Sequence, residues 1–314
     1  MTMNSINPEE ESFIVLTKDV FIIDCKAESE KIESFIHAKM DELHRDGIVV
    51  AISGGLDSST VVGLCVRAVG KQKVTGLNLP EKNGNPDALK FSRLIAGNLG
   101  FKTKTIDISK ILAEVGTYKF VADRIGSRTL INKFIKNFPP EAKKNLFMDG
   151  IKGTKNSMVR QAIASTYSKH RIRLVVTYKY AEENNLLVVG CAHKSEDLLG
   201  LFSKFGVDDN ADVMPIKHLY RSQILQIASY IGVPETIIGR TPNPDMFSGI
   251  EDKYYDVLGI PSDTTDLVLY GLEHSLSTKE IAAQLHLDST KIQELIELVG
   301  LTDHMRNHSM SLMN

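Results

Sequence analysis

Residues 48–59, Ile48-Val49-Val50-Ala51-Ile52-Ser53-Gly54-Gly55-Leu56-Asp57-Ser58-Ser59, set an unbroken apolar run against a turn of glycines and hydroxyls. Five consecutive apolar residues without alternation predict a parallel strand covered on both faces. Two glycines let backbone N–H groups approach a phosphate closely, and the hydroxyls of Ser53, Ser58 and Ser59 add donors. A helix starting after the turn aims the positive end of its dipole at the same place. The loop is therefore built as an anion cradle, but it lacks the lysine of G-x-x-x-x-G-K-[ST] and is not a P-loop of that kind. A glycine turn before a serine-capped helix would account for Ser-Gly-Gly alone; it does not account for the full string after a buried strand.

Outward from this stretch the chain alternates. Ile32, Phe35, Ile36, Met40 and Leu43 fall at helical spacing over 28–45, ending at Asp46-Gly47. After the loop, Ser58 to Val69 reads as a helix, Lys73 to Leu79 as a strand stopped by Pro80, Pro86 to Leu99 as a helix and Lys102 to Ile108 as a strand. Leu186 to Gly190 is a fourth strand, and His218 to Ile231 a further helix. Strand and helix in alternation predict right-handed crossovers and a doubly wound parallel sheet, an α/β fold. Residues 262–301 are helical by pattern, and 277–300 are spaced like a helix-turn-helix. With no basic face there, this reads as an appendage packed on the sheet or on a partner rather than a DNA reader. The expected division is 1–261 for the sheet domain and 262–314 for the helical segment.

Composition bounds the rest. The chain has 314 residues, 42% of them hydrophobic, which suffices for a full core. A formal net charge of −2 marks no general nucleic-acid or membrane binder, so any anionic ligand has to be met locally. Cys25, Cys65 and Cys191 are scattered, without metal or redox spacing, as in a reducing, cytoplasmic compartment. The acidic N-terminus has no basic start followed by an apolar run, and no stretch approaches a membrane span.

A second constellation, Val188-Val189-Gly190-Cys191-Ala192-His193-Lys194-Ser195-Glu196, puts a carboxylate just past a strand's C-terminal end, where ligands bind in open α/β sheets. From there Glu196 and Asp57 can share an oxygen-coordinated Mg²⁺ with phosphates. Together with Ser53-Gly54-Gly55-Leu56-Asp57-Ser58-Ser59, this resembles the ATP-pyrophosphatases, and most of all the ammonia-dependent NAD synthetases. The resemblance runs from about Ile22 to about Arg306. It implies that the loop holds the β- and γ-phosphates of ATP, that Asp57 and Glu196 bind Mg²⁺, and that Cys191, Arg221 and Asn243 also face ATP, Arg221 serving with Asp57 and Glu196 in catalysis. It assigns Arg171 in His170-Arg171-Ile172-Arg173, Lys204, Asp212 and His304 to deamido-NAD. It also implies a homodimer, for which Ile281, Leu285, Ile292 and Leu295 offer apolar faces. The chemistry implied is attack of the substrate carboxylate on ATP, giving an acyl-adenylate and pyrophosphate, followed by attack of ammonia and loss of AMP. About 50 residues before the loop leave no room for a fused glutaminase, so free ammonia is the expected nitrogen donor.

The sequence departs from the family pattern at several places. Cys191 stands for threonine, Tyr167 for asparagine, Arg221 for lysine and Met305 for lysine, while Asn243 sits where P-[ST]-A-D is expected and Gly249-Ile250-Glu251-Asp252 keeps its segment only in part. Arginine does not replace lysine neutrally at a phosphate, because its planar fork needs a different geometry. The stretch before Arg171 is longer than the family's by roughly thirty residues, and such insertions sit at lids or interfaces. Residues 117–157 carry Arg124, Arg128, Lys133, Lys136, Lys143, Lys144, Lys152 and Lys155, which suit a solvated helical insertion or a lid over a polyanion. Two alternatives stay open: another ATP-pyrophosphatase that amidates or thiolates a different acceptor, and a catalytically weak nucleotide-binding regulator.

Overall fold

A computed structural model describes residues 14–119, 140–243 and 250–307. Arg124, Arg128, Lys133 and Lys136, and Pro244, Asp245 and Gly249 of the later loop, lie outside the described residues. Four parallel strands form one sheet in the order β3-β2-β1-β4: β1 Gly47–Ala51, β2 Val74–Asn78, β3 Lys102–Thr105 and β4 Leu186–Val188. Val49 pairs with Thr75 on one side and with Val188 on the other. The chain thus runs outward from β1 in both directions, and the switch point lies at the C-terminal ends of β1 and β4.

The apolar run of β1 is explained by cover on both faces. Ile48 and Val50 join one cluster with Ile32, Ile36 and Met40 of α1 (Cys25–Glu42), with α2 (Leu56–Val69), and with Ile95 of α3 (Ala88–Leu99). Val49 turns to a second cluster with Leu77, Val188, Leu112 of α4 (Ser109–Glu114), and Val176 and Ala181 of a long helix. The fold is α/β and doubly wound, as the alternation predicts. β3 departs from the buried pattern: it is the sheet edge, and Lys102 to Thr105 are all exposed. Lysines there discourage strand addition.

The inserted region is not simply a solvated arm. Its described part contains α5 (Pro140–Lys152), which buries Phe147 and Ile151 in a third cluster with the C-terminal helices. Lys143 pairs with Asp256 at 3.0 Å and Lys144 with Glu294 at 2.8 Å, so these two cations are spent on docking. Helix α6 (Ser157–Glu183) then returns to the sheet, capped by Asn156, whose side chain accepts from the N–H groups of Met158 and Val159.

After β4 come α7 (Lys194–Leu199), α8 (Arg221–Tyr230), α9 (Glu235–Ile238) and α10 (Tyr255–Leu258). The C-terminal helices are α11 (Ser262–Glu273), α12 (Thr278–Leu285), α13 (Ser289–Leu301) and α14 (Asp303–Arg306). One expectation fails here. Ile281, Ile292 and Leu295 are buried within the chain and offer no apolar face to a partner, while Leu285 is half-buried against the same cluster. The helical spacing is as the sequence predicts, but the stripe turns inward, because periodicity says that a stripe is covered and not what covers it.

Candidate functional site

Beyond the C-terminal ends of the strands lies a cavity of about 400 Å³. The loop after β1 forms its floor. Gly54 has φ +72°, and a Cβ there would sit 2.6 Å from the Phe91 Cβ, so only glycine lets α3 pack this closely under the turn. Ser53 Oγ accepts from the Gly55 N–H at 3.2 Å and lies 3.2 Å from Ser58 Oγ. Helix α2 begins with Gly55 as its N-cap and no side-chain cap, which leaves its first N–H groups to a ligand. Ser53, Gly55, Leu56, Asp57 and Ser58 line the cavity, whereas Gly54 and Ser59 lie behind it; Ser59 is fully buried.

Three elements converge on Asp57. Strand β4 ends at the segment that carries His193 and Glu196, and α8 opens with Arg221. Arg221 Nη1 lies 3.7 Å from Asp57 Oδ1, and its backbone N–H donates to Ser195 Oγ at 3.1 Å, which fixes α8 to α7. His193 is completely buried, its Nε2 3.9 Å from Asp57 Oδ1 and 3.6 Å from Glu196 Oε2. Lys253, also buried, donates to Glu196 Oε1. Burial alone would raise the Asp57 carboxyl, but His193, Lys253 and Arg221 outweigh it and hold the group below the usual carboxylate range. Asp57 enters the site as an anion.

Donor atoms of Asp57, His193 and Glu196 all lie within 4.8 Å of one another. Asp57 Oδ1 and both ring nitrogens of His193 are buried with no hydrogen-bond partner among the described residues. Unpartnered buried polar atoms are costly, and an Asp57 oxygen and the His193 Nε2 facing each other beside Glu196 fit a cation between them. Two carboxylates and an imidazole suit a divalent ion.

Of the residues singled out from sequence, Asp57, Glu196, Arg221, Cys191 and Asn243 line this one cavity with the loop. Burial, then the carboxylates of Asp208, Asp57 and Glu196, push the Cys191 thiol well above its ordinary value, which disfavours the thiolate that a nucleophile needs. The four residues assigned to the second substrate lie elsewhere. Arg171 on α6 is exposed; it donates to the Lys204 carbonyl at 3.2 Å and lies over the Tyr167 ring at 5.4 Å. The Lys204 ammonium reaches the His304 carbonyl, so Arg171, Lys204 and His304 form one connected surface. Asp212 stands apart. Its carboxylate accepts from the Val188 N–H at 2.8 Å and the Tyr178 hydroxyl at 3.1 Å, closing the edge of β4.

Sequence reasoning passed over His193, Lys253, Arg240 and Asn78. Arg240 lies 4.0 Å over the Phe91 ring and donates to the Gly54 carbonyl at 2.8 Å, bracing the loop. Asn78, at the end of β2, brings to the cavity a buried side-chain oxygen with no hydrogen-bond partner among the described residues. His193 was legible three residues before Glu196; Lys253, 57 residues further on, carried no local signal.

Residues 28–133 and 127–309 match the family model described as NAD synthase. The chain belongs to the NAD synthase family. It is 34% identical over 261 residues to the NH(3)-dependent NAD(+) synthetase of Coprothermobacter proteolyticus, covering 81% of this chain and 87% of that one. Its fold is similar to the NH3-dependent NAD synthetase of Campylobacter jejuni, with TM-score 0.65, 24% identity, and coverage of 93% and 100% of the two chains. It is similar as well to the NMN synthetase of Francisella tularensis, with TM-score 0.67, 19% identity, and coverage of 92% and 99%. This NAD synthase-family fold accounts for the helices flanking a parallel sheet. Family membership makes the chain an enzyme of the carbon–nitrogen ligase type, with small-molecule substrates including ATP. No described helix is long and apolar enough to cross a membrane.

Proposed function

We propose that the protein is an ammonia-dependent NAD synthetase, amidating deamido-NAD through an acyl-adenylate and releasing AMP and pyrophosphate. The observation that carries this reading is the convergence of Asp57, Glu196, Arg221 and Lys253 on the cavity floored by the Ser53–Ser59 loop, with His193 buried behind the two carboxylates, in a chain of this family. The loop N–H groups and hydroxyls take the phosphates that leave together. Arg221, braced through Ser195, and Arg240, braced on Phe91, bring fixed positive charge to the oxygens where negative charge develops. Asp57 and Glu196, with His193 as a third donor, would hold Mg²⁺, whose role is to neutralise phosphate oxygens. Arg171, Lys204 and His304 form the proposed surface for the dinucleotide. We place the enzyme in the cytoplasm as a homodimer, with exposed Val175, one turn from Arg171 on α6, as the kind of residue a second copy would cover.

Purified protein given ATP, Mg²⁺, ammonium and deamido-NAD should form NAD, AMP and pyrophosphate in equal amounts. ADP in place of AMP would remove the whole reading. AMP and pyrophosphate with a different carboxylate amidated would keep the ATP chemistry and remove the acceptor. Light scattering at micromolar concentration should give twice the chain's mass, and a monomer would end the dimer proposal.

A further inference from the structure

Lys253 is held where a metal ion would compete with it. Its ammonium contacts Glu196 Oε1, and His193 faces the other oxygen of the same carboxylate at 3.6 Å. The stem rises from a tightly tied turn. The Lys253 N–H donates to the Pro242 carbonyl at 3.0 Å, and Asp252 accepts from the N–H groups of Tyr254 and Tyr255 at 2.9 and 3.0 Å. Asp256 accepts in turn from the N–H groups of Glu251 and Asp252 and from Lys143 of α5. Tyr254, next in the chain, is wholly buried. The backbone is therefore fixed, and the ammonium can change partners only by rotating its stem.

Burial explains why it sits there. A carboxylate pair left in a closed site without a cation is strongly disfavoured, and so is a buried lysine without an anion. With no metal present, each solves the problem of the other. A divalent ion among Asp57, His193 and Glu196 would share the same carboxylate with a like charge, so the two cations exclude one another.

We propose that Lys253 is the resident counter-ion of the metal-free site, and that it exchanges partners when metal and polyphosphate arrive together: the metal takes Glu196 and a phosphate oxygen takes the ammonium. The inference rests on reading Asp57 and Glu196 as metal ligands. It makes metal and nucleotide binding mutually reinforcing through one side chain. A divalent ion alone has to displace the lysine toward the other carboxylates of the cavity, Asp57, which the ion also takes, and Asp208, which His170 already holds at 2.8 Å. With a triphosphate in the cavity, the displaced ammonium gains an anion.

The test uses the full chain without acceptor, Mn²⁺ as the probe and free Mn²⁺ read by electron paramagnetic resonance. An ATP analogue with a methylene bridge between the α- and β-phosphorus is added or left out, with correction for its own Mn²⁺ binding. The unmodified protein should bind Mn²⁺ at least tenfold more weakly without the analogue than with it. Lys253→Met should bind Mn²⁺ alone tenfold or more tighter than the unmodified protein, and the gain from the analogue should shrink. Lys253→Arg, which keeps the charge, should stay weak. If Lys253→Met fails to fold by circular dichroism, Lys253→Gln takes its place. Unchanged or weaker Mn²⁺ binding in the uncharged variant overturns the proposal, as does equal Mn²⁺ affinity of the unmodified protein with and without the analogue. Mn²⁺ binding unaltered by Asp57→Asn with Glu196→Gln would overturn it together with the metal-ligand reading. None of these outcomes depends on whether deamido-NAD is the acceptor.

Discussion

Two carboxylates lie at opposite ends of Arg221 and live by different rules. Asp266, on α11, is fully buried, and its oxygens accept from Ser195 Oγ at 2.6 Å and from the Ser222 N–H and Oγ at 2.8 and 2.7 Å. Asp57, at the cavity, has a buried oxygen with no hydrogen-bond partner among the described residues and cations a little too far away to bond it. Burial leaves Asp266 with a raised pKa despite its hydroxyl and amide donors. Asp57 is held below the usual range by neighbouring positive charge, against the same burial. The joint between α7, α8 and α11 is a finished hydrogen-bond network, and the cavity is an unfinished one. A structural carboxylate has spent its lone pairs on the protein; a ligand-binding one keeps them.

The comparison breaks first at the cavity. Asp57→Asn and Glu196→Gln should each lower turnover by about a thousandfold or more, as loss of fixed transition-state charge does, and Asp57→Asn should do so with little change in melting temperature. Near-normal rates in either variant would remove the metal assignment. The opposite pattern is expected at the joint. Asp266→Ala strands Ser195 Oγ and the Ser222 donors in the interior and should cost about 2–4 kcal/mol of stability by denaturant unfolding. An unchanged unfolding midpoint would show that the joint is not a network that has to be satisfied.

The smallest expected effect concerns the surface of Arg171, Lys204 and His304. Arg171→Ala and Lys204→Ala should raise the Michaelis constant for deamido-NAD by roughly ten- to a hundredfold, the range for one charge-assisted contact of about 1.5–3 kcal/mol. The constant for ATP should barely move, because neither residue lines the cavity. Equal changes in both constants would mean that this surface supports the fold rather than the substrate.

The sheet and the loop were legible from local residues. Five apolar residues in a row admit few structures besides a strand covered on both sides, and Ser-Gly-Gly-Leu-Asp-Ser-Ser is a local device whose backbone freedom and donors sit within seven residues. Asp57 and Glu196 were readable because each follows a strand end, a position that parallel topology turns into a rim of the crevice. Tertiary structure alone decided what such local patterns cannot carry. Lys253 reaches Glu196 across 57 residues of chain, and Arg240 reaches Gly54 across 186. Periodicity marked Ile281 and Ile292 as covered, and only packing showed that the cover is this chain's own C-terminal cluster. Local sequence fixes backbone conformation and the side a residue faces; which charge meets which depends on contacts distant in sequence, and those exist only once the core has brought the elements together.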